Sequence, residues 1–237
     1  MLRRICLLLI VPLAVSILST PPAQAQRHWQ PGDNGSFRVM LGYFHPDGNS
    51  EYWDDKFTDF TGSASDFNDF SFLMDYRLPV SHAAAFLFGA GWYEGATTQA
   101  YRDWVDGSGR PIRHKTSLRT FELTGAFIYE IGERNYPITP YVGAGGGFIW
   151  WELQERGDFI DFTDENLPII NTWYGSNDVT FSLFGLAGLD VRMNDNWSLV
   201  GQARYRWAED ELGGNFAGFG TIDLSGFDYV FGAAFHF

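Results

Sequence analysis

The sequence predicts an all-β chain: eight antiparallel strands closed into a transmembrane barrel, with short periplasmic turns and long extracellular loops. Three observations carry the prediction. Apolar and mixed positions alternate with period two in eight separate segments, as strands with one greasy face do. The links between these segments alternate short and long, as they do when strands cross a bilayer and return. The final segment, Phe227 to Phe237, keeps its alternation to the last residue. Such a strand is expected to close against the first, because a closed ring leaves no edge. A secreted β-sandwich also alternates, and is the competing soluble reading.

The segments follow in order. Phe37, Val39, Leu41 and Tyr43 share one face of the first. Phe70, Phe72, Met74 and Tyr76 do so in the second, with Asp75 and Arg77 opposite. The third carries Ala84, Phe86, Phe88, Ala90 and Trp92. In the fourth, Phe121, Leu123, Gly125, Phe127 and Tyr129 oppose Thr120, Glu122 and Thr124. The fifth, Tyr141 to Trp151, has glycine and aromatic residues on both faces, so its facing stays open. Phe181, Leu183, Gly185, Ala187, Leu189 and Val191 mark the sixth; Trp197, Leu199, Gly201, Ala203, Tyr205 and Trp207 the seventh; the terminal segment is the eighth. Short links run from Leu78 to His82, Glu130 to Thr139 and Met193 to Asn196. Long ones run from His45 to Asp66, Glu94 to Thr116, Glu152 to Asp178 and Ala208 to Asp223.

Aromatic positions give a second line of argument. If the first strand rises outward, Tyr43, Trp92, Trp150, Trp151 and Trp207 fall at the external level. Tyr76, Tyr129, Tyr141, Trp197 and Phe237 fall at the opposite one. Two interfacial girdles are what a membrane protein shows and a sandwich does not need.

At the N-terminus, Arg3 and Arg4 precede an apolar run, Ile5 to Leu18, and Ala23-Gln24-Ala25 offers small residues for cleavage. This predicts a signal peptide over 1–25, a periplasmic tail over 26–35 and a barrel over 36–237. The apolar run is too short for a stable span. Cys6 lies in the leader, away from any lipobox-like position, so the exported chain is expected to have no disulfide. Loss of Arg3 and Arg4 takes the net charge from −13 to −15. So acidic a chain is not expected to bind nucleic acid, which calls for a basic face. Aromatic content of 18% and 27 glycines fit aromatic belts and close strand contacts.

Pro140-Tyr-Val-Gly-Ala-Gly145 opening the fifth segment, Asn194-Asp-Asn-Trp197-Ser-Leu199 at a turn, and the strand ending in Phe237 carry a resemblance. The chain resembles the small eight-stranded outer-membrane proteins grouped with outer membrane proteins A, X and W. The resemblance implies the outer membrane of a Gram-negative-type bacterium and contact with its lipids and lipopolysaccharide. It also implies insertion by an assembly machinery that reads the terminal aromatic signature, here Tyr229, Phe231, Phe235 and Phe237. It implies no single activity, because this fold hosts anchors, adhesins, small channels and lipid-modifying enzymes.

The inward faces are expected to hold Arg38, Asp75, Arg77, Glu122, Asp190, Arg192, Gln202, Arg204, Arg206, Asp228 and His236. Eight strands enclose a space that side chains can fill, and unpaired charges there are costly. Pairing across the lumen predicts a filled, salt-bridged interior and a structural or surface-interaction role. The alternative is a narrow polar pore for small solutes. An enzyme would need a nucleophile beside a base. No local motif joins Ser, His and an acid, and His28, His45, His82 and His114 lie in the tail or in or beside connections. A lipid-A deacylase or acyltransferase remains on fold analogy alone.

Gly143-Ala-Gly145-Gly146-Gly147 lacks the Lys-Ser/Thr of a phosphate loop, and points to close strand packing instead. The first and third long links are acidic, through Asp47, Glu51, Asp54, Asp55 and Asp59, and through Asp158, Asp161, Asp164 and Glu165. Without EF-hand spacing they predict solvated loops and no metal or cofactor; bridging of divalent ions to lipopolysaccharide is the sharper alternative. Tyr52, Trp53, Phe57, Phe60, Phe159, Phe162, Trp173 and Tyr174 in the same links either pack the loops together or meet an extracellular ligand. The chain is expected to be a monomer.

Overall fold

The computed structural model describes residues 35–132 and 137–237. The leader expected over 1–25 and all but Gly35 of the expected tail lie outside the described residues. Eight strands form the ring: β1 (Ser36–Pro46), β2 (Asp69–Pro79), β3 (Ala84–Val105), β4 (Pro111–Glu130), β5 (Ile138–Ile160), β6 (Ile169–Arg192), β7 (Trp197–Trp207) and β10 (Gly226–His236). Each pairs antiparallel with its neighbours in the order β1-β10-β7-β6-β5-β4-β3-β2, and the barrel is closed. The seam runs from Ser36↔His236 to Pro46↔Gly226. A glycine is required on it. A Cβ on Gly232 would collide with the Val39 carbonyl oxygen and lie 2.6 Å from Met40 Cα.

All eight expected segments are strands, but the loops differ from expectation. β1, β2, β7 and β10 are 11 residues long, enough to cross a bilayer once. β3 to β6 run for 22, 20, 23 and 24 residues. Most of the links expected at Glu94–Thr116 and Glu152–Asp178 is therefore strand, closed by tight turns. In the first turn Asp106 accepts hydrogen bonds from the backbone N–H of Ser108 (2.8 Å) and Arg110 (2.9 Å), and Gly109 takes φ +81. The extra ten or so residues carry the sheet roughly 30 Å further along the strands.

The side-chain pattern inverts where these extensions begin. Within the lower part of β4, Phe121, Leu123 and Phe127 face out while Thr120 and Glu122 face in; above it, Arg119, Ser117 and Lys115 face out while Leu118 and Ile112 face in. The same inversion falls in β5 between Trp150 and Glu152. Trp92, Phe121 and Trp150 are directly paired neighbours, and the next outward row is Glu94, Arg119 and Glu152. Arg119 bridges both acids, at 3.2 and 3.1 Å. An apolar belt ending on an aromatic row, with a charged row above, marks the edge of the hydrocarbon layer.

The first and last long links fold over the inner face of the extended sheet. Helix α1 (Glu51–Asp59) buries Tyr52, Trp53 and Lys56, which share one side of its first turns. A 3₁₀ turn (Ala64–Phe67) follows, and the last link makes a small ribbon, β8 (Glu209–Glu211) with β9 (Thr221–Asp223). Trp53 donates its indole N–H to the Asp223 carbonyl at 3.1 Å, and Ser50 Oγ accepts from the Asp223 N–H at 3.0 Å. The link expected at His45–Asp66 is thus a folded canopy, not a solvated acidic loop.

β5 faces inward through its odd positions. Tyr141 and Trp151, both expected in the aromatic girdles, therefore point into the barrel and are buried. Gly145 and Gly147 face inward as well, where a Cβ would strike the neighbouring strand. Gly146 faces out.

Candidate functional site

The barrel interior is built in layers. One apolar cluster, including Met40, Leu73, Leu87, Ile128, Phe184, Leu186, Val200 and Val230, fills the lumen around Tyr141. A second, under the canopy, joins Phe44, Trp53, Phe67, Tyr93, Leu118, Ile149, Trp151, Leu153 and Leu224. The sequence predicted a charged interior; these two apolar layers were not foreseen.

Two ion-pair groups lie among the layers. Arg38 on β1 grips Asp75 on β2 with Nε to Oδ1 at 2.5 Å and Nη2 to Oδ2 at 2.8 Å, a two-pronged contact. Its Nη1 donates to the Tyr141 hydroxyl at 3.1 Å, and that hydroxyl donates to Gln202 Oε1 at 3.1 Å. This chain of contacts reaches from β2 to β7, across the barrel. In the other group Glu122 bridges Arg204 (2.5 Å) and Arg206 (3.3 Å), and Arg204 also holds Asp228 (3.0 Å). Ser71 donates to Asp228 at 2.6 Å. Arg206 lies over the Phe44 ring at 4.3 Å and Arg204 over Phe184 at 5.3 Å. All six charged residues are buried. A cavity beside Arg204 and Phe184 measures about 10 Å³, the room of a single water.

The other expected lumen charges sit at the short-turn end. Arg77 pairs with Glu130. Asp190 is half-buried and Arg192 exposed, and neither makes an ion pair among the described residues. Ser198 Oγ meets His236 Nε2 at 2.6 Å, a contact that the separation of 38 residues concealed. No carboxylate hydrogen-bonds that ring among the described residues, and both partners are buried.

A further charged group was missed by sequence reading. Under the canopy, Lys56 donates to Glu155 Oε1 at 2.5 Å and to His114 Nε2 at 2.7 Å, and Tyr52 donates to the same Glu155 oxygen at 2.8 Å. Lysine has only donors, so Nε2 accepts and His114 is neutral. Burial, and then the Lys56 ammonium, push His114 down to about 3. Burial lowers Lys56 while Glu155 opposes it, and burial beside Glu155 raises Tyr52. The His114 ring packs against Phe60 and Phe159, with centroids 4.5 and 4.7 Å away. Lys56 is one of two lysines in the chain. Its place on the buried side of α1 was the available signal, once the helix itself was recognised.

On the outside, Tyr43, Trp92, Trp150, Trp207, Tyr76, Tyr129 and Trp197 are all exposed on the outward faces of their strands. Tyr229, Phe231 and Phe235 are exposed on the outward face of β10, and Phe237 just beyond it. The lipid-facing surface is thus apolar while charge is held within, the reverse of a soluble domain.

No protein-family model matches the chain, and comparison with curated proteins finds no relative. Solved structures do match. Outer membrane protein OprG from Pseudomonas aeruginosa aligns over 86% of this chain and 96% of its own, at 13% identity and a TM-score of 0.51. Neisserial surface protein A aligns over 86% and 100%, at 14% identity and a TM-score of 0.49. A major outer membrane protein from Thermus thermophilus aligns over 86% and 99%, at 11% identity and a TM-score of 0.48. With strand number, ring order and the inverted surface already established, the fold is that of the small eight-stranded outer-membrane β-barrels.

Proposed function

We propose that this chain is a monomeric outer-membrane barrel that holds a folded canopy at the cell surface and does not pass solutes. The observation that carries the reading is the lumen. Arg38, Asp75, Tyr141 and Gln202 span it in one connected group, Glu122, Arg204, Arg206 and Asp228 form another, and packed apolar side chains fill the remainder. A water-filled pore needs mobile or solvated charges; these are paired and buried. On this reading the exposed aromatics anchor the barrel in lipid, the outer-membrane assembly machinery reads the aromatic face of β10, and the canopy is the part that meets other molecules. The function lies in surface interaction, not catalysis. One observation favours a narrow channel as the second reading: both ion-pair groups line the inside of the wall, where a rearrangement would bare polar groups to water.

Liposome swelling separates the two. Vesicles bearing the refolded chain should swell in glycine or arabinose no faster than empty vesicles. Swelling that grows with the amount of reconstituted protein would favour the channel.

A further inference from the structure

The canopy contains a cavity of about 250 Å³, just under the roughly 300–1,000 Å³ of sites for drug-sized ligands. All four long connections contribute to it. One wall is a run of rings, Phe60 and Tyr101 with centroids 4.5 Å apart and Tyr101 and Phe162 at 6.5 Å. Phe219, exposed, faces it from the last link. The floor is the Lys56–Glu155 pair, whose two charges cancel. Two carboxylates remain. Asp55 and Asp59 lie on the exposed side of α1, line the cavity, and make no hydrogen bond or ion pair among the described residues.

From this arrangement we propose that the cavity binds a small organic cation, an ammonium or guanidinium carried on an apolar or aromatic body. The inference rests on the canopy being the interacting part of the molecule. Aromatic faces attract cations through their quadrupole, and a flat apolar body stacks on the same rings. The two uncompensated carboxylates give the site a charge that repels anions. They also supply acceptors for the N–H groups of such a ligand. The excess of acidic over basic residues in the chain, 29 against 16, steers cations in the same direction.

The test uses the full chain refolded into lipid nanodiscs, with 2-phenylethylammonium as the probe in isothermal titration calorimetry. Its neutral isostere 2-phenylethanol, phenylacetate and glucose serve as comparators. The amine should bind saturably and about tenfold more tightly than the alcohol, in line with a partly desolvated cation on aromatic faces. Asp55→Asn with Asp59→Asn should cut that preference to about threefold, the share left to the rings, and leave the alcohol unchanged. Phe162→Ala, at an exposed position, should weaken the amine about threefold. The proposal is overturned by absence of saturable amine binding, by equal binding of amine and alcohol, by no response to the aspartate changes, or by phenylacetate or glucose binding in place of the amine. None of these outcomes bears on the closed lumen, which swelling measures independently.

Discussion

Glu122→Ala should lower the unfolding free energy of the refolded barrel by about 3–5 kcal/mol, the range for removing one partner of a buried ion pair. Glu122 is 2% exposed and bridges two arginines. Arg204 would keep Asp228 at 3.0 Å, but among the described residues Arg206 would retain only the Leu224 carbonyl at 3.1 Å and the Phe44 ring. The loss therefore comes mostly from an uncompensated charge, not from lost packing. Urea unfolding in detergent, followed by tryptophan fluorescence, reads it directly. A double variant, Glu122→Ala with Arg206→Met, should recover most of the loss, because an apolar replacement of the stranded cation removes the desolvation penalty. If the single change costs under about 1 kcal/mol, the figure for exposed pairs, the network is solvated and the account of the lumen is wrong.

Acid should open the canopy while leaving the barrel intact. His114 is held at about 3 in the folded state, against an ordinary 6.5. Between those values an opened canopy takes up a proton that the closed one refuses. Closed-state stability is then complete above about pH 6.5 and falls as the pH drops toward 3. A full proton gives a slope of about 1.4 kcal/mol, or tenfold in protection, per pH unit. The groups facing the ring are Lys56 from α1, Glu155 from β5 and Tyr101 from β3. Hydrogen exchange of the α1 amides, corrected for intrinsic rates, should therefore lose about tenfold protection per unit between pH 6 and 4. Amides of β1 and β10 should not. His114→Gln keeps an acceptor for Lys56 and should flatten the dependence. An unchanged slope in that variant would assign the titration to another group.

The eight crossings were legible because a bilayer imposes a strict rule. Outward residues of a membrane strand must be apolar, so Val39, Phe121 or Leu199 alternates visibly with its mixed neighbours. The four extensions were illegible for the complementary reason. Above Trp92 and Trp150 the outside is wet, so the apolar residues move to the inner face: Leu118, Leu153 and Phe159 replace Phe121 and Phe148 as the greasy positions. A pattern that reverses phase in mid-strand reads as a strand ending. The facing of β5 was open for a local reason, since Gly143, Gly145, Gly146 and Gly147 carry no side chain to declare a side. Helix α1 was hidden by composition. Asp54, Asp55 and Asp59 look like a solvated loop, and only burial of Tyr52, Trp53 and Lys56 against the extended sheet makes nine such residues helical.

The lumen charges were read from the same alternation, but their pairing could not be. Arg38 and Asp75 meet because β1 and β2 are aligned at those residues, and Arg204 and Asp228 because β7 and β10 are. Register of this kind is decided by the turns and the closure of the ring, which no single segment encodes. Ser198 and His236 belong to the same class of contact. Lys56 and His114 are more remote still, since their meeting depends on a canopy that crosses to an extension on another side of the ring.

Single-channel recording in planar bilayers tests the central claim, that paired charges and packed apolar layers close this barrel. Wild-type protein should stay at the baseline of protein-free membranes across the voltage range. Arg204→Ala, which removes the side chain linking Glu122 to Asp228, should add brief openings to that baseline. Reproducible unitary openings from the wild-type chain would contradict the account.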